Sequence, residues 1–315
     1  MKTSITKLLD IEFPLLMAPM FLVSNKKMLK AAIDEGIAGA IPSLNYRDLN
    51  KLEADILELK NYMQGKPGSF GVNLIVVGNP FFKEHLSIIE KTEPPFVITS
   101  LGNPSQVVEK VHNYGGVVMC DIVNLKFAEK AYKAGADAFI AVGCGAGGHA
   151  GSNNLFTFIP ALKKHFPNTP VVAAGGLASG KALASVLILG AEAASVGTAF
   201  IATKESEVNS SYKQAVIQAD IDKITMTKIL SGTPSSVIKT KELEELEEKL
   251  KSEDLSLKKG MKLLNKEDYG KIFMAGQSVE FIENELSIKE FVKKYKNEFS
   301  ESFNNNTQNE TKLPI

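Results

Sequence analysis

Short apolar runs alternate with amphipathic stretches along the chain from residue 14 to about residue 200. Continuous apolar runs are typical of strands that are buried on both faces, as in a parallel sheet. Small or polar residues lie at or near the end of each run, where a loop can begin. The eight runs, which start about 20 to 33 residues apart, are PLLMAPM (14–20), AGAIPS (38–43), FGVNLIV (70–76), FVITS (96–100), GVVMCDIV (116–123), DAFIAVG (137–143), PVVAAGG (170–176) and AASVGT (193–198).

The stretches between the runs have the spacing of amphipathic helices. Three of them, 24–36, 103–115 and 124–135, begin with Asn or Ser and end in Gly, as helices do at the N-cap and just after the last turn. Eight strands that alternate with helices are the number that a closed (β/α)8 barrel, or TIM barrel, requires. We therefore predict an α/β protein with this fold. The alternative is a doubly wound open sheet, which usually has about five to seven strands.

The regular alternation stops near residue 205, and this suggests a division of the chain. Residues 1–205 are predicted to form the main part of the barrel, residues 206–275 a smaller helical insertion or cap, and residues 276–300 the helix that closes the barrel. The segment 241–271 is highly charged with helical spacing, which fits either a solvated helical surface or a cap over the barrel mouth. Residues 301–315 are polar and rich in Asn, which predicts a disordered tail.

The composition limits the cellular compartments and the binding partners that the protein can have. With 44% hydrophobic residues, the 315-residue chain can bury a substantial core. Its 36 basic and 36 acidic residues balance, so no overall field attracts nucleic acid or an anionic membrane. The sequence favours a cytoplasmic protein for three reasons. Its two cysteines lie outside any CxxC pair, it shows no signal peptide, and no apolar run approaches the roughly 18 residues of a membrane span. A homodimer stays an option, because barrels often pair.

Candidate site residues follow from the strand ends, because ligands of a TIM barrel bind where strands end and loops begin. Glycines at the last two strand ends allow backbone N–H groups to approach a phosphate, and the Thr198 hydroxyl can also donate. Ordinary turn glycines are the alternative. No metal-binding pattern such as HxH or HExxH is present. The strand ends carry Ala18-Pro19-Met20, Ser43, Asn73, Ser100, Asp121, the loop 143–151, Gly175-Gly176 and Gly197-Thr198.

The loop GCGAGGHAG (143–151) contains the spacing G-x-G-x-x-G of a dinucleotide-binding turn. Such a turn requires a helix directly after it and an acidic residue about 20 positions on. The sequence HAGSNN interrupts any helix there and no acidic residue follows at 163–173, so we reject this interpretation. His149 is the one histidine of four in a strand-end loop. It could act as a base or as a cation beside developing negative charge, or it could have a structural hydrogen-bonding role.

The sequence gives weaker evidence of function for the other reactive side chains. Cys144 lies on the same loop as His149, and we interpret it as a small packing residue rather than a nucleophile. The remaining histidines, His85, His112 and His165, lie in amphipathic or charged stretches. We expect them at the surface.

The ordered motifs PLLMAPM, FGVNL, AGGHAG, AAGGLASG, EAASVGTAF and MAGQ resemble the nitronate monooxygenase family, formerly called 2-nitropropane dioxygenases. This family also contains FMN-dependent enoyl-ACP reductases and related quinone reductases. The resemblance implies a TIM barrel that binds FMN non-covalently. His149 matches the histidine that members use beside the flavin, where it would position an anionic nitro group or take an α-proton. The implied cofactor-binding residues are Ala18, Pro19, Met20, Asn73, Asp121, Ala146, Gly147, Gly148, Gly175, Gly176, Gly197, Thr198 and Gln277.

The resemblance favours an FMN-dependent nitronate monooxygenase, which oxidises alkyl nitronates with dioxygen to a carbonyl compound and nitrite. The motifs APM and GTAF support this, because the reductases tend to have a glycine pair before that methionine and Arg at the position of Ala199. The alternatives are an NAD(P)H-dependent FMN reductase for enoyl-ACP or quinone substrates, and a non-enzymatic barrel that binds flavin or phosphate.

Two residues depart from the family pattern. Gly145 stands where relatives often have an acidic residue. Asp121 stands where they often have Gln, Ser or Lys near the flavin pyrimidine. A carboxylate there would disfavour a negative charge on the reduced flavin.

Overall fold

Eight parallel strands close into a barrel in the computed structural model of the protein, which describes residues 1–230, 232–251 and 270–308. Each strand pairs with the next, and β8 pairs with β1. The predicted TIM barrel is confirmed, each apolar run corresponds to one strand, and the open-sheet alternative is wrong. The strands are β1 (Leu15–Met17), β2 (Ala38–Pro42), β3 (Ser69–Ile75), β4 (Phe96–Ser100), β5 (Val117–Ile122), β6 (Ala138–Val142), β7 (Val171–Ala174) and β8 (Ala193–Val196).

Side chains alternate along each strand and divide the core into two layers. The inner layer fills the barrel with residues such as Leu16, Ile98 and Met119, and it includes Ile5 and Leu9 at the chain start. The outer layer lies between the strands and the helices. Apolar residues on both faces explain why the strands read as continuous apolar runs.

Helices cover the outside of the barrel, and their caps agree with the sequence pattern. Asn25 and Asn124 each accept a hydrogen bond from the third following backbone N–H group. Gly36 and Gly135 end the same helices with positive φ angles of 71° and 88°, a conformation that glycine adopts without strain. The helices before the insertion are α1 (Ser4–Leu8), α2 (Lys26–Asp34), α3 (Leu49–Tyr62), α4 (Phe82–Thr92), α5 (Ser105–His112), α6 (Leu125–Lys133), α7 (Leu155–His165), α8 (Gly180–Ile188) and α9 (Thr198–Ile201).

Residues 206–275 contain two strands, so the expected helical insertion is not helical throughout. Helix α10 (Ser210–Gln218) is followed by an antiparallel pair, β9 (Ile224–Thr227) and β10 (Ser235–Ile238), and then by α11 (Lys241–Lys249). Apolar side chains of α11 and β10 form a small separate cluster, so this helix is not solvated on all sides. Residues 252–269, which make up most of the remaining candidate cap segment 241–271, lie outside the described residues.

Helix α12 (Ile288–Gln308) packs between α8 and α2, at the outer position that belongs to β8. The expected disordered tail is wrong for residues 301–308, which continue this helix. The ring of Phe303 packs on that of Phe299 at 5.1 Å between centroids, which extends the apolar face beyond residue 300. Residues 309–315 lie outside the described part of the chain. No helix among the described residues is long and apolar enough to cross a membrane.

His85 is fully buried in α4, which corrects the expected surface role. Its Nδ1 lies 3.3 Å from Asn79 Nδ2, and burial lowers its pKa. His85 shares one helix face with Ile88, Ile89 and Thr92, which are also buried, so the helical spacing itself carried this signal. His112 and His165 are exposed, as expected.

The hydroxyl of Tyr295 ties α12 to the turn after β7. It donates to the carbonyl oxygen of Leu177 at 3.1 Å, and the side chain is buried. Replacing Tyr295 by Phe should lower the free energy of unfolding by about 1–3 kcal/mol, because the buried carbonyl loses its donor. Urea denaturation would measure this change. Tyr132→Phe, at a tyrosine that is 55% exposed, is the matched control, and equal losses for both variants would contradict the prediction.

Candidate active site

The carboxyl ends of the strands open at one end of the barrel, and the predicted site residues lie there in two arcs. A polar arc follows β3, β4 and β5, whereas a glycine-rich arc follows β6, β7, β8 and β1. Because the barrel is closed, the two arcs face each other across one mouth.

The polar arc is a hydrogen-bonded chain of three side chains. Asn73 donates through Nδ2 to the carbonyl oxygen of Ile98 at 3.1 Å and to Ser100 Oγ at 2.8 Å. Ser100 Oγ donates to Asp121 Oδ2 at 2.5 Å. A carbonyl oxygen can only accept, so the amide orientation of Asn73 is fixed and its Oδ1 remains an acceptor. Asn73 and Asp121 occupy inward positions of their strands, because their neighbours in sequence belong to the outer layer. Ser100 lies two residues after Ile98, which belongs to the inner layer, so it also points inward.

Asp121 has an unusual protonation behaviour. Burial raises its pKa to about 6, although the hydrogen bond from Ser100 opposes this shift. It makes no ion pair with any lysine or arginine that the structure describes. The Asp121 carboxyl group therefore titrates close to neutral pH. On average it carries less negative charge there than an ordinary aspartate does.

The turn after β7 provides a surface without side chains. Gly175 and Gly176 have φ angles of 118° and 75°. A Cβ atom at Gly176 would meet nothing within 4 Å, so this glycine borders open space, whereas one at Gly175 would lie 2.8 Å from the backbone nitrogen of Ala146. Among residues 1–230, 232–251 and 270–308, the structure gives the two glycine N–H groups no acceptor. These donors suit an anion.

The ends of β8 and β1 lie against each other beside this turn. Ala18 donates its N–H to the carbonyl oxygen of Val196 at 2.8 Å. A Cβ atom at Gly197 would lie 3.6 Å from Ala18 Cβ and from Met20 Sδ. Thr198 is buried and its Oγ1 accepts the N–H of Gly276 at 3.0 Å, which leaves the hydroxyl proton for another acceptor.

Segment 274–277, the MAGQ motif, crosses the loop after β6. Gln277 donates its N–H to the carbonyl oxygen of Gly145 at 3.1 Å. A Cβ atom at Gly147 would lie 2.8 Å from the carbonyl carbon of Ala275, and one at Gly276 only 2.4 Å from the carbonyl oxygen of Gly145. Two glycines therefore permit a backbone-to-backbone contact that any larger residue would prevent.

The absence of an acidic residue at position 145 has a structural explanation. A Cβ atom there would lie 3.1 Å from Gln277 Oε1 and 3.1 Å from the backbone nitrogen of Gly176. The Gln277 side chain thus occupies the space above Gly145. In this chain the glutamine and the glycine fit each other, and an acidic side chain would displace the glutamine.

His149 lies on the exposed part of the β6 loop. The preceding residue, Gly148, is joined to Ser236 of β10 by two backbone hydrogen bonds of 3.0 and 2.7 Å, so the insertion positions the loop. The side chain is exposed to solvent, yet neighbouring protein atoms desolvate the imidazole and lower its pKa. His149 is therefore predominantly neutral at neutral pH.

The two cysteines differ in their surroundings. Cys120 is buried and accepts the Thr99 hydroxyl at 3.0 Å, and burial raises its pKa to about 12. Cys144 is exposed on the β6 loop, and its N–H donates to the carbonyl oxygen of Asn153 at 3.0 Å.

Sequence reasoning left three residues of the mouth without a role. Ser100 was noted at a strand end but not assigned, although its position between Asn73 and Asp121 follows from the strand order. Ser236 holds the β6 loop and also donates to the carbonyl oxygen of Ala275 at 2.9 Å. Tyr212 donates to the carbonyl oxygen of Met274 at 2.6 Å. No local pattern marks the last two.

The fold and this mouth define a TIM-barrel enzyme with its candidate site at the carboxyl ends of the strands. A family model for nitronate monooxygenase matches residues 71–298, which is more than half of the chain. The protein belongs to the nitronate monooxygenase family. Family members and relatives are oxidoreductases of the flavoenzyme type, so the protein is an oxidoreductase, and the non-enzymatic alternative is set aside.

Several known proteins are similar to the chain. It is 30% identical over 249 residues to (3aS,4S,5R,7aS)-5-hydroxy-7a-methyl-1-oxo-octahydro-1H-indene-4-carboxyl-CoA dehydrogenase of Mycobacterium tuberculosis, covering 78% of this chain and 69% of that protein. It is 26% identical over 290 residues to a probable nitronate monooxygenase of Staphylococcus aureus, covering 78% and 80%. The structure of FabK from Thermotoga maritima superposes with a TM-score of 0.88 at 28% identity, covering 98% of this chain and 99% of that chain.

Proposed function

We propose that the protein is an FMN-dependent nitronate monooxygenase that oxidises alkyl nitronates with dioxygen to a carbonyl compound and nitrite. The observation that carries this proposal is the backbone surface of Gly175 and Gly176, which lies beside the loop that presents a neutral His149. A family relative is a probable nitronate monooxygenase.

The described mouth fits the phosphate of FMN. Gly175, Gly176, Gly197 and Thr198 all lie directly after β7 and β8. A Cβ atom at Gly176 would project into the open space of this region. These groups would hold the phosphate without a basic side chain, through oriented backbone dipoles.

The mouth also offers polar groups to a flat heterocyclic ring. The acceptor Oδ1 of Asn73 would bind a ring N–H group, and the Asp121 carboxyl would lie near the same edge. On the opposite arc, Ala18, Pro19, Met20 and the backbone of Ala146 to Gly148 would line the ring, while Gln277 would approach it from the crossing segment. Bound flavin would supply the electron transfer to and from substrate and dioxygen.

His149 would act on the substrate rather than on the cofactor's phosphate. Since desolvation by neighbouring protein atoms lowers its pKa, the neutral imidazole can accept an α-proton from a nitroalkane or donate one hydrogen bond to a nitronate oxygen. The cationic role considered from the sequence is less favoured before substrate binds, because desolvation disfavours the charged form.

The second candidate is an NAD(P)H-dependent FMN reductase for enoyl-ACP or quinone substrates. One observation favours it: large apolar side chains are exposed on the loops after β1, β3 and β4, where they would suit an apolar substrate longer than a small nitronate. These residues are Phe21, Leu22, Val77 and Leu101. The sequence feature against it is Ala199, where the reductases tend to carry Arg.

An anaerobic reduction experiment distinguishes the two candidates. We expect the protein purified with FMN to be yellow and to lose its visible absorbance rapidly with propyl-2-nitronate, but only slowly with NADH or NADPH. Stopped-flow absorbance would record both rates. Rapid bleaching by a pyridine nucleotide and none by the nitronate would favour the reductase. A protein that does not take up FMN at all would contradict both.

A further inference from the structure

We propose that Asp121 takes up a proton when the bound flavin is reduced, and that Ser100 is a positioning residue that sets the pH range of this uptake. The proposal rests on the proposed FMN site. It concerns a residue that departs from the family pattern and that a hydrogen-bonded chain connects to Asn73.

Geometry places the Asp121 carboxyl at the barrel mouth. Met119, two residues earlier on β5, belongs to the inner layer, whereas Cys120 and Ile122 belong to the outer layer. Asp121 therefore points inward at the last inward position of its strand, and its residue is partly exposed there. A ring bound across the mouth would lie against it.

Few groups other than the flavin could control the protonation of Asp121. On its own strand the Cys120 thiol points to the other layer and bonds to Thr99. From β4 it receives the Ser100 hydroxyl, and Asn73 of β3 is neutral. The next loop carries His149, whose own pKa is lowered. No ion pair with a described lysine or arginine holds the carboxylate charged.

The Ser100 hydroxyl can serve both protonation states of the neighbouring acid. It has one O–H donor and two lone pairs, of which one accepts Asn73 Nδ2. With the carboxylate it donates to Oδ2, as observed at 2.5 Å. With the protonated acid it can rotate and accept. The pair therefore stays connected while its charge changes.

The proton step follows from charge balance. When dithionite, which is oxidised to sulfite, delivers two electrons to the bound flavin in a titration, negative charge increases beside Asp121. An added negative charge a few ångströms away raises a carboxyl pKa by roughly one unit or more. An O–H bond then forms at Asp121 with a proton from the buffer, and no bond of the protein breaks. The proton neutralises the charge that would otherwise oppose reduction.

The test measures protons taken up per pair of electrons in the FMN-loaded enzyme. Anaerobic reduction by dithionite in weak buffer with a pH indicator, and the dependence of the midpoint potential on pH, both report this ratio. Just above the Asp121 pKa of about 6, the wild type should take up more protons than Asp121→Asn. The matched control is Asp137→Asn, which removes a carboxylate at the opposite end of the barrel and should behave as the wild type.

Ser100→Ala provides a second variant with its own expected direction. Loss of a hydrogen bond to the charged form should raise the Asp121 pKa, so the extra uptake should move to higher pH. If Asp121→Asn binds FMN but takes up as many protons as the wild type, the inference is wrong while the proposed cofactor stands. If the wild type does not bind FMN, the proposed function fails instead. Extra uptake that Ser100→Ala leaves at the same pH would contradict the role of Ser100.

Discussion

Replacing Gly276 by Ala is expected to weaken FMN binding by about tenfold to a hundredfold. The added Cβ atom would lie 2.4 Å from the carbonyl oxygen of Gly145, 2.6 Å from the nitrogen of Gly147 and 2.7 Å from the carbonyl carbon of Ala146. All three are backbone atoms, so no side-chain rotation relieves the contact. Overpacking of this kind costs about 1–3 kcal/mol, and each 1.4 kcal/mol changes a dissociation constant tenfold.

The cost of overpacking at Gly276 should appear as weakened FMN binding, because segment 274–277 is hydrogen-bonded to both sides of the mouth. A shift of Gly276 would lengthen the bond from its N–H to Thr198 Oγ1, now 3.0 Å, and the bond from Gln277 to Gly145, now 3.1 Å. The first holds the threonine hydroxyl that we assign to the phosphate. The second orders the loop that carries His149.

Fluorescence titration of the apoprotein with FMN would measure the change. Gly65→Ala is the matched control, because a Cβ atom there meets nothing within 4 Å. Gly65 has a φ angle of 71°, so this control should lose about 1–2 kcal/mol of stability and keep its FMN affinity. Unchanged FMN binding by Gly276→Ala would show that the crossing segment is not part of the cofactor site.

The barrel itself could be predicted because each strand is encoded locally. Apolar residues on both faces of runs such as FVITS and PVVAAGG reflect their burial between the barrel interior and the helices. The residues of the mouth could then be predicted from the strand ends, because every strand of a parallel barrel ends on the same side. This explains why the sequence alone predicts Asn73, Ser100 and Asp121 at the mouth.

The missed features depend on contacts between distant segments. The strands ITMT and SSVI are short and carry no strong alternation, and the pair forms by mutual pairing and by packing with α11. The contact of Ser236 with Gly148 joins residues far apart in sequence. Whether position 145 needs an acidic residue likewise depends on Gln277, which the sequence places more than a hundred residues away.

Replacing His149 by Ala is expected to lower turnover of a neutral nitroalkane by about a hundredfold to ten-thousandfold, the usual contribution of a general base. FMN should remain bound, since the groups assigned to it lie on other loops or on the backbone. The bridge between Gly148 and Ser236 uses backbone atoms alone, so it should survive the substitution. Steady-state oxygen consumption would measure turnover, and visible absorbance would measure the retained cofactor.

The pH dependence shows which form of His149 acts. Desolvation by neighbouring protein atoms lowers its pKa below the ordinary value of 6.5, so the neutral form is present above that pKa and is lost as the pH falls through it. If the neutral imidazole is the base, the wild-type rate should decline on the acidic side, and this decline should be absent from the residual rate of His149→Ala. A rate that rises as the pH falls would instead assign the role to the cation. His165→Ala, at an exposed histidine of α7, should match the wild type throughout. If His149→Ala retained full turnover, His149 would have no role in the mechanism, either as a base or as a cation.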